Sequence, residues 1–270
     1  MKAVPRPAGP AAMAQLRESP AGDPVVPRLE LAEWAERYGI VAGITSRPLS
    51  LGLWSDESVG QVMGRWRAFR AAFAPAFPTV VLSHQVHGTG VRWHAGRPDG
   101  WLLLDGVDGH ATAERGVLLT ITVADCVPVY LAAPDKGAIA LLHAGWRGTA
   151  GRILERGIGL LKERAFVRSA DIVMHCGVGI CGSCYEVGSE VAQALADARR
   201  ERPEEGGERV AADAVARVDL RTVLARQAAE LGVTQVSVSP WCPAHDRRHF
   251  FSHRASGARD GRMVAYVGQP

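Results

Sequence analysis

Long hydrophobic runs are missing from this chain: nothing in its 270 residues approaches the ~18 consecutive apolar residues a membrane-crossing helix needs, and the longest apolar runs are strand-sized. Residues 1–28 hold no continuous apolar stretch of the kind a secretory leader requires, so none is expected. An excess of one charge is absent too. The net charge of +3 arises from 31 basic and 28 acidic residues spread along the chain, which leaves no basic tract for nucleic acid or a lipid surface and points to small-molecule partners. The five cysteines, at 126, 176, 181, 184 and 242, are an odd set and argue against a disulfide scaffold. With no leader in view, they place the chain in a reducing compartment, the cytoplasm. Nine histidines occur, but no two in a His-x-His arrangement, and no internal repeat is present.

What the chain does have is apolar material, 47% of the residues, enough for one large domain with an extended sheet. Residues 1–28 are rich in Pro and Ala and read as a loose arm, leaving 29–270 as the folded domain. A polar insert at Arg199–Gly207 reads as an exposed loop. Short apolar or alternating runs predict strands at Val80–Leu82, Val117–Val123, Val127–Leu131, Ala138–Leu142, Ile172–Met174, Val236–Val238 and Met263–Val267. Helical spacing over Leu220–Leu231 is opened by Asp219 as an N-cap and closed by Gly232, and two further helices are expected at Gly148–Ala165 and Gly188–Arg200. Strands and helices interleave without strict alternation, so the fold class is α/β, a single layered domain with a mixed β-sheet flanked by helices.

Three apolar runs end in residues that bind metals: the segment holding His84 and His87, Ala124-Asp125-Cys126-Val127-Pro128, and Leu142-His143-Ala144-Gly145-Trp146-Arg147-Gly148. Spacing alone says little, because the ligands are far apart in sequence and only the fold could assemble them. The ligand types say more: two imidazoles and one thiolate suit zinc, and three protein ligands leave one corner of a tetrahedral ion open. Taken on composition, a small buried Cys126 with hydrogen-bonded histidines explains the same residues.

Read together, His87-Gly88, Ala124-Asp125-Cys126-Val127-Pro128-Val129, His143-Ala144-Gly145-Trp146-Arg147-Gly148, Cys184-Tyr185-Glu186-Val187-Gly188 and Phe250-Phe251-Ser252-His253-Arg254 resemble the bacterial multicopper polyphenol oxidase, or laccase-domain, family over residues 38–268. The resemblance implies that His87, Cys126 and His143 bind zinc, with copper as the lesser alternative. It also implies purine nucleoside chemistry: phosphorolysis of adenosine, inosine and methylthioadenosine, and deamination of adenosine. The partners would be a small-molecule purine nucleoside and phosphate, and the chain a monomer or homodimer. Arg147 and the helix start beside it would hold the anion, and a cation there would lower the pKa of a coordinated water toward ~7 for deamination. Asp125 is a candidate acid or a group that supports a ligand from behind, and an Asp capping a turn accounts for it equally well. Arg47, His84, Cys184, Phe250 and Arg254 are candidate substrate contacts, and only the resemblance ranks His87 above His84 as the ligand.

Two alternatives belong to other classes. A copper-dependent polyphenol oxidase would need an imidazole-rich cluster built from His-x-His pairs, which this chain lacks. A non-catalytic nucleoside-binding protein is suggested by the departure at Ser46-Arg47-Pro48-Leu49-Ser50-Leu51-Gly52-Leu53, where the family's Leu-Asn-Leu-Gly stretch has no asparagine counterpart. The remaining cysteines Cys176, Cys181 and Cys184, spaced five and three residues apart, invite a second metal but read better as buried thiols in a glycine-rich turn, and Cys242-Pro243-Ala244-His245, also metal-like in spacing, reads as a pocket wall.

Overall fold

The computed structural model describes residues 13–21, 24–96, 98–198, 215–257 and 260–270. The expected insert at 199–207 lies outside them.

The apolar runs form strands because both their faces are covered. Along Val127–Ala133, Val127, Val129, Leu131 and Ala133 face a helical layer, while Tyr130 and Ala132 face a second sheet. Ala138–Ala144 divides in the same way, so the period-2 alternation runs between two buried faces rather than between core and water. Seven strands make the first sheet, in the spatial order Ala14–Gln15, Gln235–Val238, Val173–Cys176, Val127–Ala133, Ala138–Ala144, Gly109–Thr112, Val91–His94. Seven more make the second: Ser19–Ala21, Arg28–Glu30, Val41–Thr45, Met263–Gly268, Val117–Val123, Thr79–His84, Gly100–Asp105. Both are mixed, combining antiparallel ladders such as Val127–Ala133 with Ala138–Ala144 and parallel ones such as Thr79–His84 with Gly100–Asp105.

The two sheets pack face to face through Ile44, Val81, Leu119, Ile121, Tyr130, Ile139 and Leu141. Helices cover both outer faces, giving four layers where one sheet flanked by helices was expected. Ile153–Ala165 lays Ile153, Leu154, Ile158 and Leu161 on the first sheet, each side chain contributing about 1.5–3 kcal/mol by burial. Val59–Phe73 covers the second with Val62, Trp66, Phe69 and Phe73.

Seven predicted strands are present, and the Asp219 cap is formed, its side chain accepting the Arg221 N–H. The helix predicted over Gly148–Ala165 is broken. Trp146–Ala150 and Ile153–Ala165 are separate helices, because Arg152 adopts a left-handed backbone (φ 62°) at the junction. The loose arm predicted for residues 1–28 does not describe Met13 onward: Ala14–Gln15 pairs in parallel with Gln235–Val238, and Val26 is buried. Glu18 is also buried, accepting from Ser239 Oγ at 2.7 Å and meeting His175 Nε2 at 3.1 Å. Distant partners such as these are invisible to a reading of local composition.

Candidate metal centre

The chain crosses between the sheets at one rim, and the three expected ligands meet there. Thr79–His84 of the second sheet runs on into a turn carrying His87, whose φ of 58° is left-handed. Val117–Val123 passes to Val127–Ala133 of the first sheet through Asp125 (φ 84°) and Cys126. His143 sits one residue before the end of Ala138–Ala144, on the face that Ile139 and Leu141 turn toward the second sheet. The ligand atoms of His87, Cys126 and His143 all lie within 4.8 Å of one another, and no fourth His, Cys, Asp or Glu joins this group among the described residues. The two rings are 4.8 Å apart and nearly perpendicular. His143 is buried, Cys126 partly so, and His87 exposed, so the centre opens to solvent on the His87 side. Gly145 keeps the space clear: a Cβ there would stand 3.0 Å from Cys126 Sγ and 3.2 Å from the His87 ring.

Asp108 is the residue the sequence did not reveal. It is completely buried, and its carboxylate accepts from His143 Nδ1 (2.9 Å) and from the backbone N–H groups of His87 (2.9 Å), Gly88 (2.7 Å) and Val86 (3.2 Å). One carboxylate thus fixes the His143 ring with Nε2 left for a metal and also holds the strained turn that presents His87. Burial opposes its charge, but the His143 ring and the Gly88 and Val86 N–H groups keep Asp108 below the usual carboxylate range. Burial would likewise push the Cys126 thiol up, yet the His143 and His87 rings outweigh it and hold Cys126 down to about 6. Burial also works against a charged His143, which Cys126 and Asp108 nevertheless raise to about 9. At neutral pH and without a metal, Cys126 is thus a thiolate paired with a protonated His143, and a metal entering here takes the thiolate and displaces the ring proton. Two imidazoles, one thiolate and an unfilled corner fit zinc.

The family described as multi-copper polyphenol oxidoreductase laccase matches residues 35–269. The chain belongs to this laccase family. It is 32% identical to purine nucleoside phosphorylase YlmD of Geobacillus stearothermophilus, over 86% of this chain and 90% of that protein. It is 34% identical to adenosine deaminase RL5 from an unknown prokaryotic organism, over 61% of this chain and 62% of that protein. The crystal structure of YlmD from Geobacillus stearothermophilus has a TM-score of 0.82 at 29% identity, covering 93% of this chain and 99% of that one.

Around this laccase-family centre the other expected residues divide. Arg147 is exposed, with its guanidinium 4.4 Å from the Trp146 ring and no carboxylate partner among the described residues. Its helix, Trp146–Ala150, spans only five residues, so the helix dipole expected to help hold an anion is small and the task falls to the side chain. Arg254 is close by. Its backbone N–H donates to Asp125 Oδ2 at 2.6 Å, its Nη1 to the Glu186 carbonyl at 2.6 Å, and its guanidinium lies 5.1 Å from the Tyr185 ring. Tyr185, which the sequence reading passed over, lies where the charges of Cys126, Asp125, Arg254 and Arg147 all act on it. Burial first, then Cys126, raise its hydroxyl above the usual value and keep it protonated.

Asp125 proves to be engaged within the protein: Ser252 Oγ donates to Oδ1 at 2.8 Å and the Arg254 N–H to Oδ2. These bonds tie it to the Cys126 turn, and burial raises its carboxyl above the usual range. Phe250 is fully buried against Trp241 and His249, so it packs and does not reach substrate. Arg47 is held by a two-oxygen ion pair with Asp260 (2.7 and 2.8 Å), by the Phe250 carbonyl (2.8 Å) and by the Phe251 ring (4.1 Å), which makes it a clamp on the 250–260 loop. His84 bonds Asp105 at 2.9 Å and stacks on the exposed Trp54, outside the ligand group. Cys184 joins Cys181, Cys242 and His245 in a second cluster instead.

Proposed function

We propose that this chain is a zinc-dependent purine nucleoside phosphorylase, acting on adenosine, inosine and methylthioadenosine, with adenosine deamination as a second activity of the same centre. The observation that carries this reading is the convergence of His87, Cys126 and His143 beside an arginine whose guanidinium no carboxylate among the described residues neutralises. The names of the relatives support it, since YlmD is a purine nucleoside phosphorylase and RL5 an adenosine deaminase.

His87, Cys126 and His143 would hold the ion, which when bound supplies a Lewis acid that polarises an oxygen or a purine ring atom. Arg147 offers phosphate a planar fork of donors and holds it for attack on the anomeric carbon. As the new C–O bond forms, the bond to the purine breaks and the base leaves with the electron pair. Tyr185, still protonated, is placed to donate a hydrogen bond or proton to that base, and Arg254 extends the positive rim. Asp108 keeps the His143 ring aligned throughout. The copper-oxidase reading lacks a second imidazole cluster: among the described residues the groups with metal-ligand geometry are this centre and the Cys181, Cys184, Cys242, His245 set.

Incubation with each nucleoside, with and without phosphate, followed by chromatography tests the reading. Free base that depends on phosphate is expected from all three nucleosides, and adenosine alone should yield inosine. Arg147→Ala should raise KM for phosphate and lower kcat/KM by about 10- to 100-fold through loss of a charge-assisted contact of about 1.5–3 kcal/mol. An unchanged KM for phosphate would remove Arg147 from its assigned role.

A further inference from the structure

The second cluster joins two loops distant in sequence. Cys181-Gly182-Ser183-Cys184 follows the strand Val173–Cys176, and Cys242-Pro243-Ala244-His245 follows Gln235–Val238, the parallel neighbour of that strand. Each loop is a tight turn that carries its outer residues three apart. Cys184 and Tyr185 N–H both donate to the Cys181 carbonyl at 3.0 Å, and His245 and Asp246 N–H donate to the Cys242 carbonyl at 3.1 and 2.8 Å. The ligand atoms of Cys181, Cys184, Cys242 and His245 all lie within 4.8 Å of one another. The two ring nitrogens of His245 face different sulfurs: Nδ1 is 3.6 Å from Cys181 Sγ and Nε2 is 3.2 Å from Cys184 Sγ. A tetrahedral zinc with Zn–S about 2.3 Å and Zn–N about 2.0 Å spaces its ligand atoms about 3.5–3.8 Å apart, so four atoms within 4.8 Å of one another need draw together by only about 1 Å.

We infer that Cys181, Cys184, Cys242 and His245 bind a structural zinc ion, separate from the centre at His87, Cys126 and His143. Four protein ligands close the site, which assigns it to stability rather than to substrate. The backbone N–H of Cys181 points at Cys242 Sγ (3.4 Å), and the guanidinium of the buried Arg221 feels the charges of both Cys181 and Cys242 while holding the Ser239 and Trp241 carbonyls. Cys176, whose spacing also suggests it as a partner, is buried on its strand and is not in the group. A Cys181–Cys184 disulfide would leave Cys242 and His245 facing each other with no role, whereas one ion uses all four.

The site also bears on the catalytic rim. Ile180, next to Cys181, donates its N–H to the Asp125 carbonyl at 2.8 Å, one residue from Cys126, and Tyr185 follows Cys184 directly. An ion pinning the two loops would therefore hold the Cys126 turn and Tyr185 in place.

Elemental analysis of the full chain, purified under reducing conditions with zinc supplied, tests the inference. Two zinc ions per wild-type chain are expected, one in Cys126→Ala, one in Cys184→Ser, and a melting temperature several degrees lower in Cys184→Ser. Cobalt added to the metal-stripped Cys126→Ala chain should give the intense visible bands of a tetrahedral, thiolate-rich ion, a readout that does not depend on the Cys184→Ser variant folding. Absence of those bands, a zinc content in Cys126→Ala that falls to zero, or an intact mass two hydrogens short with no bound zinc would each overturn it. Because Cys126→Ala keeps only the second site, failure of the nucleoside activity and failure of this site are read separately.

Discussion

Asp108 accepts four hydrogen bonds from groups that shape the metal centre, so its replacement acts on His143 and His87 together. In Asp108→Asn the amide NH₂ replaces one oxygen and faces either the Val86 and Gly88 N–H groups or the His87 N–H and the His143 ring, all of which need an acceptor. Metal affinity should fall by about 10- to 100-fold, measured by competition with a chromophoric chelator. An affinity within twofold of wild type would show that the ring and turn hold their geometry without the carboxylate. At this scale the candidate ligands were legible through the family resemblance carried by the contiguous motifs Ala124-Asp125-Cys126, His87-Gly88 and His143-Ala144-Gly145. Asp108 was not, since an Asp between Val107 and Gly109 carries the same local signal as any turn residue and acquires its partners from two other strands only on folding. Phe250 failed in the opposite sense: adjacent phenylalanines look available for stacking until the packing of Trp241 and His249 is known.

Among the elements, the short helix Trp146–Ala150 couples the first sheet to the His87 turn through a glycine contact. A Cβ on Gly148 would lie 3.0 Å from the Gly88 carbonyl and 3.4 Å from that of His143, both backbone atoms that cannot swing away. Gly148→Ala should therefore displace the His87 turn, reduce bound metal and lower kcat/KM, while the melting temperature of the metal-free chain changes by only a few degrees. A variant with full metal content would show that the turn accommodates the methyl group. Central strands were legible because burial on both faces makes them continuous apolar runs, as in Val117–Val123 and Val127–Ala133. Gly109–Thr112 was not: it reads Gly-His-Ala-Thr, and its polar side chains are buried only because His110 meets Ser83 and His94, and Thr112 meets the His94 carbonyl. Val59–Phe73 escaped notice because Gly60, Gly64 and three arginines interrupt its apolar stripe.

For the molecule as a whole, that same histidine chain sets a dependence on pH. Burial, with nearby Arg92, holds His94 down to about 4, and burial, with His94 beside it, holds His110 down to about 3. Both values lie below the ~6.5 of an unfolded histidine, so protons bind the unfolded chain preferentially. The stability these groups confer is complete above pH ~6.5 and drains away as pH falls toward 3–4, at up to ~1.4 kcal/mol per pH unit for each. Urea unfolding of the metal-free chain should show its midpoint level above about pH 6.5 and falling from there to pH 5. A midpoint constant over that range would mean the two rings are not buried neutral in solution. The four-layer arrangement puts these histidines, the ligand rim and the outer helices in one folded unit, and the catalytic account rests on that rim. Its most direct test is a single comparison: adenosine with phosphate, incubated with zinc-loaded wild type and with Cys126→Ala. The account predicts adenine from the wild type, lost when phosphate is withheld and lost in the variant. Zinc-loaded wild type that releases neither adenine nor inosine, or a Cys126→Ala chain as active as wild type, would contradict it.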